Sequence, residues 1–208
     1  MATRGRSDDA AIRFLRVDKI GSATANLKLS SVVPVTTRCE ARVGNVVVVR
    51  VLTENAAYNH LELPTGRLCK INRDDLIVGV LGERRALKGF VGDVPPKLAP
   101  GDRLHILNLG GVIGRCVDHY NELGEAIEVE LLGMVADGDG ARAPAILNIA
   151  KGAVPPREHL ERSCPLILVA GTCMNSGKTF AAAQPVSYTH LRAHETPEHL
   201  VCRLLLEK

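Results

Sequence analysis

Between residues 30 and about 135, apolar residues fall in short runs divided by turn signals. Residues 46–52 (VVVVRVL) are β-branched and few, residues 76–81 (LIVGVL) form a second run, and residues 87–94 and 104–109 follow at nearby intervals. Residues 127–132 (IEVELL) alternate apolar and charged positions, the period of a strand with one wet face. Gly44-Asn45, Pro64-Thr65-Gly66, Asn72-Arg73-Asp74-Asp75, Gly82-Glu83, Pro95-Pro96 and Pro100-Gly101-Asp102 punctuate the runs. The pattern predicts a mainly β region, a small barrel or sandwich, with Gly79, Gly89, Gly110 and Gly111 at bends or bulges. Residues 10–15 fit a short helix or a strand equally.

The pattern changes near the C-terminus. Residues 166–170 (LILVA) form an apolar run that leads into Gly171, Thr172, Cys173, Met174, Asn175, Ser176, Gly177, Lys178 and Thr179. A buried parallel strand entering a glycine-bounded loop that ends in Gly-Lys-Thr is the P-loop (Walker A) arrangement. Gly171 and Gly177 permit the backbone to approach an anion closely, so that successive N–H groups point into one cavity. Lys178 is expected at the β- and γ-phosphates of ATP, Thr179 at Mg²⁺, and a helix starting near Thr179 would aim its positive end at the phosphates. Five residues separate Gly171 from Gly177, where the common pattern has four. This longer form, G-T-x-x-x-x-G-K-T, resembles the phosphate loop of dethiobiotin synthetase and its relatives among the P-loop NTPases. The resemblance spans residues 166–183 and implies nucleotide binding by Gly171, Thr172, Asn175, Ser176, Gly177, Lys178 and Thr179, with Thr179 as the metal contact. Cys173 reads as a loop filler rather than a nucleophile.

Beyond the loop the chain takes a different character. Residues 186–196 (VSYTHLRAHET) and 200–208 (LVCRLLLEK) resemble the translation, in one reading frame, of the two constant blocks of a sequencing-library adapter, with a variable barcode between them. The natural sequence is therefore expected to stop near Gln184, and residues 185–208 are set aside from fold reasoning. A phosphoryl-transfer site also needs an acidic Mg²⁺ partner on a later strand, and this truncation would remove it. Pro185 is expected to end the helix after little more than a turn. The resulting plan is a β-rich domain over 1–140, a linker over 141–163 with a short polar helix at 156–162, the first strand and loop of an α/β P-loop domain over 164–184, and a non-native tail over 185–208.

Composition narrows the classes further. Hydrophobic residues make up 46%, but aromatics only 3% and tryptophan is absent, so packing must rest on Val, Leu, Ile and Ala. A net charge of +3 does not argue for nucleic acid. Cysteines at 39, 69, 116, 164, 173 and 202 lack metal-site spacing; Cys202 belongs to the adapter-like tail, and with no secretion signal the other five read as reduced thiols of a cytoplasmic protein. No apolar run approaches the ~20 residues of a membrane span. Arg84, Arg85 and Lys88 read as a charged hairpin tip, His60 and His105 as hydrogen-bonded structural histidines, and residues 108–112 as a strand-end bend. Asp74 with Asp75, and Asp137 with Asp139, read as turn residues. Two function classes follow. One is an ATP-dependent ligase, kinase or NTPase, inactive in this shortened form, whose β-domain is a substrate or regulatory module. The other is a β-barrel that binds a protein or nucleic acid under control of a nucleotide switch domain.

Overall fold

The computed structural model describes residues 12–138, 145–156, 167–171 and 176–191, with side chains in the final helix up to Val186. They divide into two compact units, Met1–Pro155 and Pro156–Lys208. The first is a β structure. Its strands are β1 (Ile12–Arg16), β2 (Lys19–Ile20), β3 (Val32–Thr36), β4 (Val46–Val51), β5 (His60–Glu62), β6 (Leu68–Lys70), β7 (Leu76–Leu81), β8 (Phe90–Asp93), β9 (Arg103–Ile106), β10 (Val112–His119), β11 (Glu128–Asp137) and β12 (Ala145–Ile146). Short 3-10 helices lie at Ser22–Leu27, Asn121–Leu123 and Ile149–Gly152.

Strand pairing in the large sheet returns to its starting point. β11 pairs antiparallel with β4, β4 antiparallel with β7, β7 parallel with β10, β10 antiparallel with β9, and β9 antiparallel with β11. Five strands thus form a closed circuit that leaves none of them with an open edge along its paired length. β3 extends this circuit from β11, β1 lies on β3, β2 runs parallel to β7, β12 caps the end of β11, and β8 takes the far half of β10. β5 and β6 make a separate hairpin across Pro64-Thr65-Gly66.

The circuit explains why β4 reads as unbroken valine. Val47, Val49 and Val51 point inward with Ile77 and Leu81 of β7, Leu104 and Ile106 of β9, Ile113 of β10, and Val129 and Leu131 of β11, and all are buried. Val46 and Val48 point the other way, into a second cluster with Val33 and Val35 of β3, Val78 and Val80 of β7, and Leu147. A strand covered on both faces loses the polar alternation of a half-exposed strand. Only Arg50 on β4 reaches solvent, where it faces Glu130 of β11 at 3.6 Å. The alternation expected at residues 127–132 is present: Ile127, Val129 and Leu131 are buried, while Glu128 and Glu130 are partly exposed.

Several expectations need correction. Gly79 lies inside β7 rather than at a bend, because a Cβ there would stand 2.6 Å from the Gly111 carbonyl oxygen. Gly111 itself is at the turn expected of it, with φ +86°, and its carbonyl accepts from Val80 N–H at 2.9 Å. Residues 145–155 belong to the β unit rather than to a linker: β12 pairs with Ala136 and Asp137, and Leu147 is buried. The short helix expected at 156–162 falls almost entirely outside the described residues. Of residues 10–15, undecided between helix and strand, 12–15 lie in β1 and 10–11 lie outside the described residues, and β3 and β10 lie in stretches where no run was singled out.

In the second unit, the expected P-loop strand is not formed: residues 167–171 carry no strand pairing, and Leu168 is 83% exposed. A parallel strand exists only through its neighbours, and no crossover to a second strand follows in the described residues. The helix α1 (Lys178–Leu191) does form, and it continues through Pro185 instead of ending there. Proline removes one hydrogen bond, from its own missing N–H to the carbonyl of residue 181, but the turns on either side keep theirs.

Gly79→Ala is expected to lower the unfolding free energy by about 1–3 kcal/mol, because its methyl group must displace backbone rather than a flexible side chain. Urea denaturation should show a lower midpoint with an unchanged m-value.

Candidate functional site

Of the residues expected to hold a nucleotide, Gly171, Ser176, Gly177, Lys178 and Thr179 are described; Thr172 and Asn175 lie outside the described residues. Gly177 has φ +82°, a conformation glycine adopts at little cost, and α1 starts at the next residue. The Gly177 carbonyl accepts the Ala181 N–H at 2.9 Å, which makes it the first acceptor of the helix. The N–H groups of an α-helix's first turn have no partner within the helix, so the end of the loop coincides with a set of donors and a positive dipole end. The two ends of the loop meet. A Cβ on Gly171 would collide with the Ser176 hydroxyl and stand 3.1 Å from Lys178 Cγ, and Lys178 Nζ donates to Ser176 Oγ at 3.1 Å. The described ends of the loop therefore lie close together, with the Lys178 ammonium beside Ser176 and α1 starting at Lys178. Thr179 is exposed.

Several other charged positions are engaged within the fold, whereas Lys88 is exposed. Arg84 donates to the Leu107 carbonyl, Arg85 pairs with Asp93 and donates to the Gly92 carbonyl at 2.9 Å, and both therefore fasten backbone rather than await a phosphate. Asp75 accepts from Lys19 Nζ at 2.5 Å and from the Asn72 N–H at 2.6 Å. Asp74 takes the left-handed turn position with φ +65°. Asp137 pairs with Lys151, and Asp139 lies outside the described residues. Among the described residues no group of three His, Cys, Asp or Glu side chains is placed to hold a metal ion.

Asn108 Oδ1 accepts the Val112 N–H at 3.0 Å and so braces the bend at 108–112, as its glycine density suggested. His60 lies on β5 and is exposed. His105, on β9, is half-buried and accepts the Cys116 N–H on Nδ1 at 3.2 Å. Cys39, Cys69 and Cys116 are free thiols. Burial, then the nearby Asp102 carboxylate, pushes Cys39 up to about 11.

Comparison with known protein families, with characterised proteins and with solved structures finds no match to this chain.

Lys19 and Asp75 are 10% and 13% exposed, so either one left alone would be a nearly buried charge. Asp75→Ala is expected to cost about 3–5 kcal/mol. The double substitution Lys19→Met with Asp75→Leu should cost less than that single change, since no charge is then stranded. Chemical denaturation of the three proteins checks this.

The raised Cys39 value has a sign that can be worked out. An unfolded chain releases this proton near 9, the folded chain near 11, so the contribution to stability is complete below pH 9 and is lost as pH rises toward 11. Cys39→Ser, whose hydroxyl does not ionise there, should flatten this part of the stability curve, and thermal melts across that range would detect it.

Proposed function

We propose that residues 171–179 are the phosphate loop of an ATP-dependent P-loop protein, a ligase, kinase or NTPase, and that the β unit is its substrate or regulatory module. The observation that carries this reading is the left-handed Gly177 immediately ahead of the helix that starts at Lys178, in a sequence whose spacing resembles the dethiobiotin synthetase loop. In this reading Gly171, Thr172, Asn175, Ser176 and Gly177 supply backbone and polar donors to the phosphates. Lys178 neutralises charge on the β- and γ-phosphates, and Thr179 ligates Mg²⁺. ATP with Mg²⁺ supplies the activated phosphoryl group, and this chain's residues bind and orient it.

The closed circuit of β4, β7, β10, β9 and β11 supports describing the first unit as a small β-barrel. It also favours a second reading, in which the barrel recognises a macromolecule and the nucleotide unit acts as a switch, because the barrel is a compact unit with its own core.

Two measurements test the phosphate loop. In the 208-residue chain, where residues 167–171 pair with no neighbouring strand, Mg²⁺-ATP binding is expected no tighter than about millimolar. In the protein carrying its natural continuation, ATP turnover is expected, and Lys178→Ala should abolish or greatly weaken it without unfolding the protein. Unchanged turnover in that variant overturns the assignment.

A further inference from the structure

β10 changes partners in its middle. Val112 and Ile113 pair with β7, Ile113 and Gly114 with β9, and from Arg115 onward the strand pairs with β8 alone. At the changeover, Cys116 lies opposite Gly92, whose N–H and carbonyl are both used by Arg84 at 3.0 Å. Cys116 therefore directs its N–H away from β8, toward the side where the β9 ladder has stopped at Gly114. A backbone donor left there without an acceptor would be unsatisfied. The acceptor is a side chain, Nδ1 of His105, at 3.2 Å. One residue further the β8–β10 register shifts between Cys116 and Asp118, and the Cys116 thiol donates to the Asp118 carbonyl at 3.3 Å.

The ring can accept this bond only while Nδ1 is unprotonated, with its proton on Nε2. The charged groups facing it are Glu128, its register partner on β11, and Glu125 in the turn before β11; Arg103 on its own strand is held by Glu128 at 3.1 Å. On β10 it faces the Gly114 carbonyl and the Cys116 N–H. Burial disfavours the imidazolium and outweighs Glu128, Glu125 and the Gly114 carbonyl, which favour it, so the ring stays neutral to a lower pH than a free histidine.

We propose that His105 is a pH-sensitive latch at the partner change of β10: as the neutral ring it fastens the β8–β10 ribbon to the strand circuit, and on protonation it lets that ribbon go. The ribbon covers the satellite cluster of Phe90, Leu107 and Ala126, which Cys116, Tyr58 and Leu123 also border, so release opens that cluster rather than the main core. The sign follows from the lowered value. The unfolded ring takes its proton first, near 6.5, so the latch's contribution is complete above that pH and is lost as pH falls from there through the folded value.

The test uses the ¹⁵N-labelled 208-residue chain between about pH 8 and pH 5. Imidazole ¹⁵N shifts are expected to show the Nε2–H tautomer at the upper end and titration below the ordinary histidine value. Amide exchange at Cys116, corrected for the intrinsic pH dependence and compared with Val48 in the core, should lose about tenfold of its protection as the ring titrates. In His105→Asn, whose Oδ1 can accept the same N–H without titrating, Cys116 protection should be flat over that range. Cys116 protection that stays constant while His105 titrates, an Nδ1–H tautomer, or the same acid loss in His105→Asn would each overturn the latch. Should His105→Asn fail to fold, the tautomer and the Cys116 profile of the unaltered chain decide the question alone.

Discussion

The β unit depends on a contact between two stretches of backbone. β7 and β10 run parallel over only two register pairs, Val80 with Val112 and Leu81 with Ile113, and this short seam joins the two halves of the circuit. It forms because Gly111 turns the chain with a positive φ and then lays its carbonyl against Gly79, where any side chain would intrude. Gly21 makes a similar approach from the other side, where a Cβ would stand 2.5 Å from the Gly110 carbonyl oxygen. Without these approaches β10 could not reach β9 and β7 together, and β9 could not close against β11.

Closure then dictates which residues the strands can carry. Once five strands surround a common interior and outer segments cover β4 and β7, both faces of those two strands are dry. Small branched side chains fill such a double-sided space without large aromatic rings, which accounts for a core built from Val, Ile and Leu in a chain with 3% aromatics. Three ion pairs border the sheet. Arg50 meets Glu130 across the β4–β11 ladder, Arg103 meets Glu128 across β9–β11, and Lys19 meets Asp75 beside the parallel β2–β7 pair.

The second unit shows how different the demands of a loop and a strand are. Gly177 and the helix after it need only local hydrogen bonds and a residue that tolerates positive φ, and both are in place. The apolar run before the loop needs parallel neighbours on either edge, and without them residues 167–170 remain unpaired. Lys178 and Ser176 meet through proximity in the chain alone. The Gly177 turn and the helix start are thus encoded locally, whereas pairing of the run before them depends on neighbouring strands.

Much of the β unit was legible in the chain itself. The run at 76–81 coincides with β7, that at 46–52 contains β4, and the alternation at 127–132 marks the buried and wet faces of β11, because each pattern follows from burial of one or both faces. The spacing of Gly171, Gly177 and Lys178 identified the candidate loop, since the residue types there answer to local geometry. Other features were settled only by tertiary structure. That β9 closes against β11, that Gly79 serves a close approach rather than a bend, and that His105 stands in for a missing strand at Cys116 all depend on segments distant in sequence. Periodicity reports which face of a segment is dry. It carries no information about which neighbour keeps it dry, and that choice belongs to the closed arrangement of the strands.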